Sequence, residues 1–260
     1  NKTRPITLSN TDSKHISSCI CAPLDKVAKS IGNHQKGGIS GRQMGEHILN
    51  LEAKLIQFVL TNCLLGGIIA MDQEAAFPSI SRRYMLWVLK TMGIPKKIRN
   101  VLTSLYVNCS GRISLAGMLF GSIAIESGVK QGDPSSMVIF ILAYDPILRW
   151  ISFLLSPMSS ELFGMCDDLA IATEDMEQAW KILSKIFPII TKISSLKINK
   201  SKTQFLAATE SRGRRICDNI CSSDRNVNAS MYRFVLNYIG IYIGPGAPTV
   251  QWSLALEGNE

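Results

Sequence analysis

Charged residues, aromatic residues and regularly spaced cysteines are all scarce in this sequence. Charged residues make up 18% and aromatic residues 7% of the 260 residues, against 46% hydrophobic residues. This balance excludes an intrinsically disordered chain and predicts a globular fold with a substantial core. The seven cysteines include no CxxC pair, and the three histidines are not spaced with them. Neither a disulfide framework nor a zinc site is therefore indicated, and reduced thiols in an intracellular protein are the simplest account.

Long uninterrupted apolar runs are also lacking. No run reaches the ~18 residues expected of a membrane span, and the nearest approach, 137–155, is interrupted by Asp145, Pro146 and Arg149. We therefore expect no membrane partner. The chain begins with Asn rather than Met, which predicts that it is a piece of a longer protein.

Acidic residues are outnumbered by basic residues. Lys and Arg total 28 and Asp and Glu total 20, which gives a net charge of +8. An excess of this size is compatible with a polyanionic partner such as nucleic acid, although many basic proteins have no such partner.

Two adjacent carboxylates, Asp167 and Asp168, lie between the apolar runs 163–166 and 169–172. The pattern predicts a strand, a tight turn and a second strand, with the acidic pair at the turn. Because successive side chains on a strand point to opposite faces, both carboxylates serve one site only if they lie at a turn. Divalent cations would remove the repulsion between them. Alone, such a pair more commonly marks an exposed acidic turn.

A second carboxylate site lies upstream of this pair. The segment 66–71 has the apolar character of a buried strand and is followed directly by Asp72. A carboxylate at the end of one strand and a pair at the turn of a neighbouring hairpin form a layout suited to two-metal phosphoryl transfer.

Glycine-containing polar loops occur at 33–42 and at 128–136. The first carries Lys36 and Arg42, and its glycines allow backbone N–H groups to approach a ligand, or they simply form a connection. The second precedes a long apolar helix capped by Ser135 or Ser136, where N–H groups can face a phosphate or a base edge, or serve only as a cap.

The remaining periodicity predicts an α+β fold with helices on one face of an antiparallel sheet. Helices are expected at 14–31, 44–63, 81–92, 95–107, 135–155 and 174–193, hairpins at 111–126 and 237–244, and a strand at 204–208. Within the first hairpin, residues 117–121 are the expected turn. The segment containing Arg212, Arg214 and Arg215 is expected to be a solvated basic loop.

Four segments resemble, in order and spacing, successive motifs of a reverse transcriptase of the LINE-like non-LTR retrotransposon class. They are 4–8, 72–77, 128–134 and 165–168, with support from 35–42, 196–203 and 238–244. The resemblance covers about residues 2–245 and implies the fingers and palm of a right-hand polymerase, with an antiparallel palm sheet backed by helices. It divides the chain into a fingers portion (1–65), a palm with inserted fingers/palm helices and hairpin at 79–126 (66–245), and the start of the connection to a missing thumb (246–260).

The resemblance also implies roles for individual residues. Asp72 and Asp167 would hold two Mg²⁺ ions, or Mn²⁺ in their place, with Asp168 as a weaker or indirect ligand. Phe77 matches the aromatic residue that excludes a ribose 2′-hydroxyl, although a core phenylalanine is the alternative. The remaining implied contacts to nucleotide, template or primer are Arg4, Arg42, Gln131, Gly132, Lys202, and Tyr238 and Gly240 of the primer-grip hairpin. Lys202 would donate a proton to pyrophosphate, with a solvated surface lysine as the alternative.

Two functions stay open from the sequence. The first is an RNA-directed DNA polymerase core that uses two-metal nucleotidyl transfer, with an RNA template, a DNA primer and dNTP as partners. The second is a catalytically silent relative with an RNA-binding or structural role in a larger ribonucleoprotein, which the missing thumb and the altered residues Ala75 and Pro78 favour. An RNA-templated RNA polymerase is a weaker third reading, against which Phe77 argues. A retroelement protein would act in the nucleus or the cytoplasm.

Overall fold

The computed structural model describes residues 7–225 and 227–247. Three short 3₁₀ turns at 156–158, 200–202 and 229–231 accompany the main elements. The helices and strands follow in the order α1 (Thr11–Ala28), α2 (Met44–Leu60), β1 (Gly67–Met71), α3 (Ala76–Ser79), α4 (Arg82–Thr91), α5 (Lys96–Tyr106), β2 (Ser110–Leu115), β3 (Met118–Ala124), α6 (Ser136–Leu155), β4 (Glu161–Met165), β5 (Asp168–Thr173), α7 (Met176–Ser194), β6 (Gln204–Ala207), α8 (Glu210–Ser223), β7 (Leu236–Tyr238) and β8 (Ile241–Ile243).

A four-stranded antiparallel sheet with the order β4-β5-β1-β6 organises the fold. Because side chains alternate along each strand, one face of β1 contributes Ile69 and Met71 to the main core, which also contains side chains of α1 and α4–α8. Ile68 points to the other face, where α2 and the β7–β8 hairpin form a second core. Most helices lie on one face as expected, but α2 is a correction: it covers the opposite face.

Helix α6 is the central core helix. The segment Ser136–Met158 is long and apolar enough to cross a membrane when judged by length and composition alone, which corrects the expectation that its polar residues prevent this. In the fold, 67% of its apolar window is buried. Its buried Asp145 accepts hydrogen bonds from Arg149 Nε (2.7 Å) and Gly32 N (3.0 Å), so the one acidic residue of this helix is satisfied inside the protein.

The turn of the β2–β3 hairpin differs from the prediction. Ala116 and Gly117, with φ of 49° and 79°, form a two-residue turn between the paired residues Leu115 and Met118. Left-handed residues at both turn positions match the twist of the flanking strands. Gly121 instead lies within β3, where the register shifts and a bulge forms.

The predicted basic loop around Arg212, Arg214 and Arg215 is also wrong. These residues lie in α8, whose Ile216, Cys217 and Ile220 are buried against the main core. The apolar stripe of α8 begins only after the arginines, and Gly213 interrupts the helical pattern. The sequence of this segment therefore predicts a loop. The fingers and palm boundaries stay a prediction, and residues 248–260 of the proposed thumb connection lie outside the described residues.

Candidate active site

The three predicted carboxylates lie at one end of the sheet. Met71 of β1 pairs with Leu169 of β5, so Asp72, the next residue after β1, follows at the end where β5 begins with Asp168. Met165 pairs with Asp168 across a two-residue turn formed by Cys166 and Asp167. The expectation of a strand, a tight turn and a strand is therefore confirmed, but only Asp167 of the acidic pair lies in the turn, because Asp168 is the first residue of β5. We call β4, this turn and β5 the carboxylate hairpin.

The segment 197–199 extends the sheet beyond the end of β1. Asn199 N donates to Asp72 O (2.8 Å), and Glu74 N donates to Lys197 O (2.8 Å). The 3₁₀ turn that follows brings the Lys202 ammonium into an ion pair with the Asp72 carboxylate. Two of the predicted site residues, 130 positions apart in the chain, are thus brought together by backbone pairing on one edge of β1.

Negative charge at the carboxylate hairpin acts on three neighbouring groups. Burial, followed by the Asp167 and Asp168 carboxylates, raises the pKa of the Cys166 thiol to about 11. The same causes raise the pKa of the Tyr144 hydroxyl above its ordinary value, and burial and Asp168 raise the pKa of Tyr238. The thiol is therefore neutral at physiological pH, and both tyrosines keep their protons beside the acidic pair.

The carboxylates suit a divalent cation in chemistry and in backbone placement. Asp residues supply the oxygen ligands that Mg²⁺ prefers, and the cation that Asp72 now contacts is the Lys202 ammonium. Within residues 7–225 and 227–247, no three His, Cys, Asp or Glu side chains come close enough together to hold a metal ion. The Asp72 side chain faces lysine in this structure, so coordination by all three carboxylates would require side-chain rearrangement.

Phe77 lies beside the predicted nucleotide loop. Its ring stacks on Phe140 of α6 with centroids 4.6 Å apart and planes 18° apart, and its carbonyl accepts a hydrogen bond from Val129 N (2.8 Å). The ring is only partly buried. Phe77 is therefore held against the core by its contact with Phe140, while part of its side chain stays accessible.

The loop 128–136 is held from two sides. Arg82 Nε donates to Gly128 O (3.0 Å), while the buried Asp133 carboxylate accepts hydrogen bonds from Ser17 of α1 and from Ser135 Oγ (2.9 Å). Ser135 precedes α6, but its hydroxyl bonds Asp133 instead of capping the helix. Gly132 is exposed and has a φ of 93°, whereas Gln131 is half-buried and its O accepts a hydrogen bond from Thr7 N (3.0 Å).

Arg42 lies away from this loop and binds backbone carbonyls. Its Nη1 donates to Gly32 O (2.7 Å) and Gln35 O (2.6 Å), and its Nη2 donates to Ile31 O (2.7 Å). These contacts hold the 29–42 loop together, so the charge has a structural use in this conformation. Arg4, the other predicted basic contact, lies outside the described residues.

The predicted primer-grip hairpin contacts the carboxylate hairpin from the second core. Tyr238 is buried, and its hydroxyl donates to Phe163 O of β4 (2.8 Å). Gly240 lies at the exposed turn with a φ of 81°, where its N donates to Asn237 Oδ1 (3.0 Å). Tyr238 thus anchors the hairpin, while Gly240 supplies the turn.

Sequence reasoning missed one residue of this region, Gln35. Its side chain is fully buried and hydrogen-bonds both backbone groups of Cys166, beside Asp167. The available signal is the Gly37–Gly38 pair, for which the sequence leaves open either the approach of a ligand or a plain connection. In the structure Gly37 instead allows the loop to approach Cys166, since an added Cβ there would lie 2.6 Å from Cys166 N.

The sequence matches proteins of retroelements. A model of the family described as reverse transcriptase (RNA-dependent DNA polymerase) matches residues 1–238. The chain is 24% identical over 248 residues to the transposon TX1 uncharacterized 149 kDa protein of Xenopus laevis, covering 92% of this chain and 18% of that protein. It is 29% identical over 120 residues to the retrovirus-related Pol polyprotein from the type-1 retrotransposable element R2 of Nasonia vitripennis, covering 45% and 12%. The chain thus spans less than a fifth of either relative.

Solved structures with the same fold include telomerases. Apo telomerase from Candida tropicalis, truncated from its C-terminal domain, aligns with a TM-score of 0.61 at 15% identity, covering 88% of this chain and 43% of that one. Telomerase from Candida albicans in complex with a TWJ fragment of telomeric RNA aligns with a TM-score of 0.60 at 13% identity, covering 89% and 38%. At these identities the similarity concerns the fold alone, and it confirms the α+β fingers/palm architecture.

Proposed function

Because the chain belongs to the reverse transcriptase family, in the LINE-like non-LTR retrotransposon class, we propose that it is the core of an RNA-directed DNA polymerase. In this proposal it adds nucleotides to the 3′-hydroxyl of a DNA primer on an RNA template. The observation that carries the proposal is the pairing of Met71 with Leu169, which brings Asp72 to the same end of the sheet as Asp167 and Asp168.

The proposed cofactor is a pair of Mg²⁺ ions, for which Mn²⁺ can substitute. Asp72 and Asp167 would hold them, and Asp168 would contribute less directly. When bound, such ions lower the pKa of the primer hydroxyl and neutralise the triphosphate and pyrophosphate.

Two side chains of the site would act on the nucleotide itself. The Lys202 ammonium, which pairs with Asp72 in this structure, would donate a proton to the leaving pyrophosphate, and its exposure leaves it free to turn away from Asp72. The Phe77 ring, fixed against Phe140, would exclude a ribose 2′-hydroxyl. Gln131 and Gly132 would line the nucleotide pocket beside it, since Val129 of the same loop bonds the Phe77 backbone.

The remaining assignments concern nucleic acid. Tyr238 and Gly240 would support the primer end, and Arg4 and Arg42 would contact nucleotide or template. The net charge of +8 suits an RNA–DNA duplex. The related Candida albicans telomerase was solved with a telomeric RNA fragment, which supports a ribonucleoprotein context for this chain as well.

The test is Mg²⁺-dependent extension of a DNA primer annealed to an RNA template with dNTPs. Asp72→Asn and Asp167→Asn should each abolish extension, because an amide cannot replace a charged ligand. Asp218→Asn is the matched control, since Asp218 is an exposed carboxylate of α8, which follows β6 at the opposite edge of the sheet from β4. Extension that survives both site variants would refute the assignment of these carboxylates.

The silent-subunit function predicts a different result. RNA binding would be unchanged by Asp167→Asn, and no extension would occur with either Mg²⁺ or Mn²⁺, even when the thumb region of a related reverse transcriptase is joined to the chain. That combination would replace the polymerase proposal.

A further inference from the structure

We propose that Gln35 is a positioning residue that fixes the turn of the carboxylate hairpin and so orients Asp167. Its catalytic consequence rests on the proposed function, but its contacts do not. Gln35 is 0% exposed although it lies in a loop. Its Nε2 donates to Cys166 O (3.0 Å), and its Oε1 accepts from Cys166 N (2.8 Å) and from Gly37 N (2.9 Å).

These contacts define the orientation of the amide. Both partners of Oε1 are backbone N–H donors, and the partner of Nε2 is a carbonyl, so exchanging the two ends would oppose donor to donor and acceptor to acceptor. The side chain therefore restrains both peptide groups that flank the Cys166 Cα. Cys166 has a φ of 59°, a left-handed conformation that costs free energy in a residue with a Cβ. A buried two-point restraint is suited to maintaining it.

The backbone around Gln35 strengthens this restraint. Gly164 N donates to His34 O (2.6 Å), and Lys36 N donates to Gly164 O (2.9 Å), so residues 34–36 run parallel to β4 through an isolated bridge between Gln35 and Gly164. The close approach requires glycine on both sides. A Cβ added at Gly164 would lie 2.9 Å from His34 O, and one added at Gly37 would lie 2.6 Å from Cys166 N and Sγ.

Arg42 holds the other side of the same segment. Its guanidinium binds Gln35 O (2.6 Å) together with carbonyls that follow α1, and Lys36 forms an ion pair with Glu46 of α2. The loop is therefore a rigid support between α1, α2 and the carboxylate hairpin. Through Gln35 it contacts the peptide directly before Asp167, where a small displacement changes the direction of a proposed metal ligand.

The experiment combines metal binding with kinetics. Gln35→Leu removes all three side-chain hydrogen bonds, and Gln35→Glu keeps the acceptor but loses the amide donor. Mn²⁺ affinity is measured by electron paramagnetic resonance, and kcat and KM for dNTP are measured on a primed RNA template. Leu183→Ala is the stability control, because Leu183 is a fully buried side chain of α7 outside the second core.

We expect Gln35→Leu to weaken Mn²⁺ binding about tenfold and to lower kcat by about 10²-fold, with KM for dNTP within a factor of two or so of wild type. Gln35→Glu should give an intermediate loss, and it supplies the measurement if the leucine variant does not fold. Leu183→Ala should lower the melting temperature without changing either parameter well below that temperature.

Two results would overturn the inference in distinguishable ways. If the folded Gln35 variants lose only stability and bind Mn²⁺ like wild type, Gln35 is a structural residue and the proposed function is untouched. If wild type and Asp167→Asn are alike in failing to bind Mn²⁺, the metal site fails, and the proposed function fails with it.

Discussion

His47 offers a quantitative test of the packing behind the carboxylate hairpin. It lies on α2, is 3% exposed, and meets the Phe163 ring of β4 edge-on with centroids 5.3 Å apart. Burial and, next, the Lys36 ammonium lower the pKa of the imidazole from 6.5 to about 4, although a hydrogen bond to the Asn33 backbone and the Glu46 carboxylate partly oppose them. His47 should therefore be neutral in the folded protein at physiological pH.

The sign of the pH dependence follows from this shift. Below pH 6.5 His47 is protonated in the unfolded chain, whereas in the folded chain it stays neutral until the pH approaches 4. The contribution of His47 to stability is therefore full above pH 6.5 and is lost as the pH decreases. With these two pKa values, the loss from this residue alone is about 2 kcal/mol between pH 7 and pH 5 and about 3 kcal/mol by pH 4.

The measurement is urea unfolding of wild type and His47→Leu at pH 7 and pH 5. Groups common to both proteins cancel, including His34, whose pKa burial also lowers. The free energy of unfolding of wild type should decrease by about 2 kcal/mol more than that of the variant. Equal decreases in the two proteins would refute the burial of a neutral imidazole against the hairpin.

Three further substitutions test other parts of the site. Lys202→Ala removes the cation that pairs with the Asp72 carboxylate. Because this ion pair is partly exposed, it contributes at most about 1 kcal/mol, and its loss should tighten Mn²⁺ binding by no more than about fivefold. Weaker Mn²⁺ binding in the variant would contradict this. Phe77→Val should raise ribonucleotide incorporation relative to dNTP by about tenfold or more, whereas Phe205→Val, in a buried core position, should lower stability only. Gly128→Ala places a Cβ 2.3 Å from the Pro78 backbone, at a residue with a φ of 70°. It should destabilise the protein far more than Gly41→Ala, because Gly41 also has a positive φ, 87°, but has open space around it. Equal melting temperatures of the two variants would contradict the clash.

The carboxylate hairpin could be predicted from sequence because its determinants are local. Two apolar runs and an acidic turn are contained within ten residues, and the hydrogen bond from Tyr84 N to Ser81 Oγ at the start of α4 is equally local. Gln35 could not be predicted in its role, since its partner Cys166 is 131 residues away and nothing in a polar loop indicates burial. Likewise, the sequence predicts a ligand contact for Arg42, because a sequence does not show which backbone carbonyls will need a hydrogen-bond donor in the folded protein.

Helix α8 illustrates a second limit. Arg212, Arg214 and Arg215 dominate its first turns, and the buried residues Ile216 and Ile220 that fix it to the core follow later. Local composition favoured a loop, but packing of the buried side chains against the main core stabilises a helix instead. Asp72 and Lys202 belong to the same class of long-range outcome, because their ion pair depends on the antiparallel pairing of 72–74 with 197–199.

The strand order of the main sheet has a consequence for how the chain acquires its site during synthesis. Central β1 pairs with β5, roughly a hundred residues later, and with β6, which is later still. Contacts this distant in sequence form slowly, because the long intervening chain must be ordered first. A growing chain therefore exposes one edge of the apolar β1 until β5 has left the ribosome, and the other edge until β6 has followed. Nascent fragments that end before β6 should bind chaperones and resist purification, and the candidate site should appear only in one late, cooperative step.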